Sequence, residues 1–229
     1  MDGTLALIAG VISTAFTVDL ALAFKRRPRP HTAAYTVGMA MFALATWALA
    51  FGLITGWNGA SYRAFFLFGA ILNIPYLALG SLYLVVGRRA GTVMFIIVAA
   101  ITAISITLTT TVDFAAPLPP DGIPHDIFPP ISEGFGPRLL AAIGGGTGAT
   151  VIILLSVVSI FRFWRRNRRL VIGNVLITAG TLAAGGGGTG LAIGEGATFA
   201  LSLLVAAALI WSGYRLATGA RRTTAKSSA

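Results

Sequence analysis

The 229 residues carry a formal net charge of +10, yet 56% are hydrophobic and only 10% are charged. The basic excess does not point to nucleic acid, because the apolar residues form seven uninterrupted stretches and most basic residues fall in the short loops between them. The chain has no cysteine, which removes disulfides, thiolate metal sites and lipid-attached cysteines.

The stretches run over 4–24, 32–54, 62–86, 91–112, 138–161, 170–191 and 197–217. At about 1.5 Å per residue, about 20 residues cross a hydrocarbon core of about 30 Å, so each is long enough to span. Runs such as Val93 to Ile106 lack the alternation of a barrel strand, and helices are the other way to satisfy a backbone in lipid. The expected fold is an all-α, integral membrane seven-transmembrane-helix bundle: one domain over 1–217, followed by a basic tail at 218–229.

The first stretch has no positive n-region and too long an apolar run for a signal peptide, so it is expected to be a retained helix. It contains Asp19, an acid inside a span. Such a residue is either tied to a basic side chain or a polar group of a neighbouring helix, with Arg26 on the same face, or it handles protons or ions. In the third stretch Gly69, Asn73, Tyr76, Gly80 and Tyr83 recur at helical spacing and are expected to face the bundle interior, with Pro75 allowing a kink beside Asn73. The sixth stretch repeats the pattern with Asn174, Thr178, Thr181, Gly185 and Gly188.

Residues 113–137 hold seven of the ten prolines, four acids and Phe114, Phe128 and Phe135. They are expected to form an extended, polyproline-like cap; a plain connector is the alternative. Glycines gather at Gly144, Gly145, Gly146 and Gly148 and again from Gly185 to Gly196. They either let helices pack closely or leave a groove for a flat apolar molecule. The candidate ligand or partner surface is therefore placed at the cap end, with Asn73, Tyr76, Phe128, Glu133, Phe135, Gly186, Gly187 and Glu195. Trp57, Arg63, Asp113, Glu133, Arg138 and Glu195 also meet there, as interhelical tethers or as part of a site.

Of the 17 Lys and Arg, all but Arg63 and Arg138 fall on one side, and every acid except Asp19 falls on the other. Basic short loops stay cytoplasmic, so the N-terminus is expected outside and the C-terminus inside. The basic side then meets anionic lipid headgroups, and Phe163 and Trp164 suit the interface.

The lysines, Lys25 and Lys226, lie outside the spans, which leaves no Schiff-base residue for retinal; His31 and His125 lie in loops, which leaves no intramembrane haem ligands. No HExxH, paired catalytic aspartates or GxSxG occurs. The expectation is a non-enzymatic protein without a cofactor or metal.

From Lys25 to Arg89 the chain reads KRRPRP, then TWALAFGLITG, then FLFGAILNIPYLALGSLYLVVGRR. This segment, with Trp47 in its second helix, resembles the seven-helix input modules of bacterial sensor kinases. It is also similar to uncharacterised seven-helix membrane proteins of actinobacteria. The resemblance implies an N-out sensing bundle in a bacterial plasma membrane, and with only a short tail after Ala217 such a sensor is expected to signal through a membrane partner or a second copy. An accessory subunit of a membrane complex and a small-solute or proton-coupled transporter are the alternatives.

Overall fold

The computed structural model describes residues 2–163, 168–192 and 196–226, with side chains described at all of these but 163, 170, 185–192, 196–197 and 217–226. The described residues are all-α. Helix α1 is Asp2–Arg26, α2 is Pro30–Thr55, α3 is Gly59–Val85, α4 is Arg88–Thr111, α5 is Pro137–Phe163, α6 is Arg168–Ala192 and α7 is Gly196–Lys226. Among the described residues, six of them are long and apolar enough to cross a membrane, and α6 has a shorter apolar stretch at Val171–Ala184. The chain is a multi-pass membrane protein, and α7 runs on past its apolar part into the basic tail.

Local chemistry sets the boundaries. Pro30 begins α2, where its missing N–H costs nothing and its fixed φ suits the first turn. Gly56 ends that helix at φ 89, a conformation other residues adopt only with strain. Asn58 then caps α3 by accepting from the backbone N–H groups of Ala60 and Ser61, while Ser61 reciprocates at the Asn58 N–H.

Helix α3 is not uniform. It is π-helical over Phe66–Leu72 before resuming as α-helix at Asn73. Pro75 follows at once and can offer no N–H to the carbonyl of Ile71. The two irregularities together mark a joint in the middle of the span.

Six helices close a ring in the order α1, α2, α3, α5, α6, α7 and back to α1, while α4 packs from outside on α3 and lightly on α5. Burial agrees: 17% of the apolar window of α4 is buried, against 50% in α2 and α3. On α4, Val93, Phe95, Ile96 and Ile97 are exposed, as are Val11 and Val18 on α1 and Leu154 on α5. In water such a perimeter would drive aggregation; in a bilayer it is the lipid-facing surface.

Between helices the recurring device is an aromatic ring laid on a glycine. Trp47 lies on Gly10, Tyr35 on Gly80 and Tyr83 on Gly91, while Trp57, just past the end of α2, folds back on Gly52 of that same helix. A methyl group at Gly80 would meet the Tyr35 ring at 2.6 Å, and one at Gly52 would meet Trp57 at 2.5 Å. Without a hydrophobic drive between helices in lipid, this close approach supplies the dispersion contact that holds them. Trp47 Nε1 also donates to Thr14 Oγ1 at 3.0 Å, and Ser13 and Thr46 pair at 3.1 Å across the buried α1–α2 seam.

The polar stripe of α3 is placed differently from the sequence expectation. Gly69 and Gly80 adjoin α2, at Ala45 and Tyr35, while Tyr76 pairs with Thr102 at 3.3 Å and Tyr83 lies on Gly91, both on α4. The stripe therefore faces the seams with α2 and α4, and the neighbouring face, with Leu77, Ser81 and Leu84, looks into the ring. The reason is that α4 stands outside the ring, so α3 has polar neighbours on its flank as well as within.

Candidate functional site

The two ends of the ring differ. The end with residues 112–136 is sealed by an aromatic plug. Phe128, fully buried, has its ring centroid 4.9 Å from Phe66, 5.4 Å from Phe114 and 5.6 Å from Tyr62. Trp57, Phe65 and Phe199 extend the plug to α7. Each such ring removes a large apolar area from water, and tilted aromatic pairs add about 0.5–1.5 kcal/mol beyond area burial.

The proline-rich segment is docked as part of this plug. Ile123 and Ile127 are buried, Trp57 Nε1 donates to the Gly122 carbonyl at 2.8 Å, and the Ala115 N–H donates to Ile127 at 2.8 Å. Apart from a 3-10 turn at Ile131–Glu133 it forms neither helix nor strand. Arg138 and Asp126 pair at 2.6 Å. Arg63 donates to the carbonyls of Thr109 and Val112 at the end of α4, and its guanidinium lies 4.4 Å from the centroid of Phe114. One cation thus fastens the chain leaving α4 to the start of α3.

The opposite end opens into the ring. A cavity of about 1210 Å³ is lined by every ring helix and by no residue of α4. At its mouth stand Arg26, Arg27, Arg29, His31, Arg162 and Arg215. Next comes a polar tier: Tyr35 Oη and Ser81 Oγ lie 3.0 Å apart, Asn174 Nδ2 donates to Ser159 Oγ at 2.7 Å, and Thr32 and Ser156 stand beside them. The floor is apolar, with Leu20, Met39, Leu77 and Ile152, and continues through Phe16 and Phe42 into the core that ends at the plug. By helical rise from the basic ends of α2, α5 and α6 to Met39, Ile152 and Thr181, the cavity is about 14 to 20 Å deep.

Asp19 lies at the rim of this cavity and closes the α1–α7 seam. Its Oδ2 accepts from Trp211 Nε1 at 2.9 Å and lies 3.9 Å from Arg215 Nε. Phe16 stacks on Trp211 at 6.1 Å, and Arg215 lies over the same indole at 5.9 Å. Chemically this is a clasp: an indole donor, a carboxylate and a guanidinium joining two helices.

The residues singled out from sequence do not converge. Asn73 is buried, with its backbone carbonyl beside Gly38 of α2 and its Oδ1 lacking a hydrogen-bond partner among the described residues; Tyr76 points to α4. Phe128 is in the plug, whereas Glu133 and Phe135 are exposed on the cap. Gly186 and Gly187 belong to α6, but their surroundings, like Glu195, lie outside the described residues. Gly144 and Gly148 are packing positions, since a methyl at Gly144 would meet the Ile71 carbonyl at 3.0 Å and one at Gly148 would meet Ile74 Cγ2 at 2.8 Å.

The cavity's polar tier was not singled out as a group. A signal for the cavity wall exists: Thr32, Tyr35 and Met39 on α2, Ser156, Ser159 and Arg162 on α5, and Asn174, Ile177 and Thr181 on α6 recur at spacings of three or four toward the basic end. Asn174 and Thr181 were part of the stripe recognised on the sixth stretch. No family model, curated protein or solved structure matches this chain.

Proposed function

We propose that the chain is a non-enzymatic, sensor-like seven-span module of a bacterial plasma membrane that admits a small apolar or lipid-like ligand into its central cavity and acts through a membrane partner. The observation that carries this reading is the one-ended cavity within the ring, with an apolar floor, a polar wall and a volume somewhat above the roughly 300–1,000 Å³ usual for small-molecule sites. Short basic loops remain in the cytoplasm, so the open end faces inward and the plug outward.

The test is native mass spectrometry of protein extracted in mild detergent, compared with Ser156→Trp, which puts an indole into the cavity wall. Wild-type protein is expected to carry a bound molecule of lipid-like mass that the variant lacks. Equal retention by both would remove the cavity from the function. A partner is expected to copurify with both.

Transport of a small solute is the second reading, favoured by a specific pairing: the cavity ends below a plug whose Phe66 lies at the start of the π-helical joint of α3. If α3 flexes there, the plug becomes a gate. Uptake or efflux by reconstituted vesicles separates this from sensing, which moves no solute.

A further inference from the structure

We infer that the mouth of the cavity is a seat for the anionic head, of phosphate or carboxylate type, of an amphiphile whose tail occupies the apolar floor. This rests on the cavity reading above and assigns the ligand's chemical class.

The charge distribution is the first argument. Five arginines among the described residues, from three segments of the chain, line the mouth: Arg26, Arg27 and Arg29 from the end of α1 and the turn after it, Arg162 from α5 and Arg215 from α7. The acid among the lining residues is Asp19, and it already receives the Trp211 N–H and the Arg215 guanidinium. Among the described residues the mouth thus keeps a surplus of four positive charges, five arginines less one carboxylate. Guanidinium groups bind carboxylates and phosphates through paired N–H donors, which suits a head group of this class better than a neutral one.

The second argument is the order of the wall. Cations, then hydroxyl and amide groups at Tyr35, Ser81 and Asn174, then Met39, Leu77 and Ile152 succeed one another with depth, and the deeper Thr181 spends its hydroxyl on the Ile177 carbonyl of its own helix. That is the polarity profile of one bilayer leaflet. The depth of about 14 to 20 Å also matches one leaflet, about half of a hydrocarbon core of about 30 Å. A free inorganic anion would use the mouth alone and leave the apolar floor unfilled; a neutral amphiphile would fill the floor and make no use of the positive charge of Arg26, Arg27, Arg29 and Arg162.

The experiment uses the full chain in nanodiscs of phosphatidylcholine and three probes: tetradecyl phosphate, monotetradecanoylglycerol and inorganic phosphate. Binding is read by native mass spectrometry and by the shift in thermal unfolding. Tetradecyl phosphate is expected to bind roughly tenfold or more tightly than the neutral glyceride, with inorganic phosphate weaker than either. Arg29→Gln with Arg162→Gln should remove most of the difference between the two amphiphiles while the glyceride still binds, and Ser156→Trp, which leaves the arginines in place, should weaken both. Equal binding of phosphate and glyceride amphiphiles overturns the anion seat and leaves the cavity reading standing. Inorganic phosphate binding as tightly as tetradecyl phosphate overturns the amphiphile in favour of a free anion. Binding of none of the three overturns the cavity reading itself.

Discussion

At the scale of single residues, the Asp19 carboxylate does its work through geometry. Its main partner is a neutral indole N–H at 2.9 Å, and the guanidinium at 3.9 Å adds a longer contact in a partly exposed place. An exposed ion pair contributes about 0–1 kcal/mol, whereas a hydrogen bond to a charged group contributes about 1.5–3 kcal/mol. Asp19→Asn keeps an acceptor for Trp211 and is expected to lower thermal stability little. Asp19→Leu leaves the indole N–H without its acceptor and should cost about 1–3 kcal/mol. Thermal unfolding of the three proteins in one detergent checks the order; equal stability of all three would dismiss the clasp. Arg63 behaves analogously at the other end. Arg63→Lys loses the planar fork that reaches both Thr109 and Val112 and the face of Phe114, so it is expected to destabilise by about 1–2 kcal/mol despite its retained charge. Sequence reading could identify Asp19 as a tethered or functional acid, because a charge in a span is conspicuous. It could not name Trp211, which lies 192 residues away and shares no periodicity with it.

At the scale of elements, α5 and α3 meet through glycines that look alike in sequence and are unlike in space. Gly148 is buried against Ile74, while Gly146, one small residue among the same run, is exposed with nothing within 4 Å of an added methyl. Gly148→Ala is therefore expected to force α5 away from α3 and destabilise by about 1–3 kcal/mol. Gly146→Ala should be neutral or should stabilise by up to about 1 kcal/mol, because alanine favours helix. Far-ultraviolet circular dichroism during thermal unfolding distinguishes them. The long apolar runs made the helices legible, and Pro75 announced a kink. Nothing in the composition of Phe66–Leu72 announced a π-helical stretch, since that conformation is set by neighbouring helices rather than by local propensity. The same holds for the α3 stripe: spacing put Tyr76 and Gly80 on one side of the helix, but only the position of α4 outside the ring decided that Tyr76 meets Thr102.

For the whole molecule, the asymmetry of charge predicts an orientation with the basic side in the cytoplasm, and the absence of native cysteine allows a clean check. A cysteine at Ser132 should react with a membrane-impermeant maleimide in intact cells, while one at Ser228 should react only after lysis. The reverse pattern would turn the cavity mouth outward and, with it, the source of any ligand. The place of the cavity was the least legible feature, because it depends on ring closure. Glycine and proline drew attention to the plug end, whereas the opening lies where Arg29 and Arg162, residues that also serve as ordinary loop and helix-end cations, are brought together by six helices.

The ring is closed by its first and last members, α1 against α7, through Trp211 and Asp19. During biosynthesis α1 reaches the bilayer long before α7 exists, so Asp19 and the neighbouring polar face of α1 must wait in lipid or beside an insertion factor until the final helix arrives. The cavity is thus the last feature the nascent chain completes, and truncation anywhere before α7 leaves inserted helices with the ring unclosed.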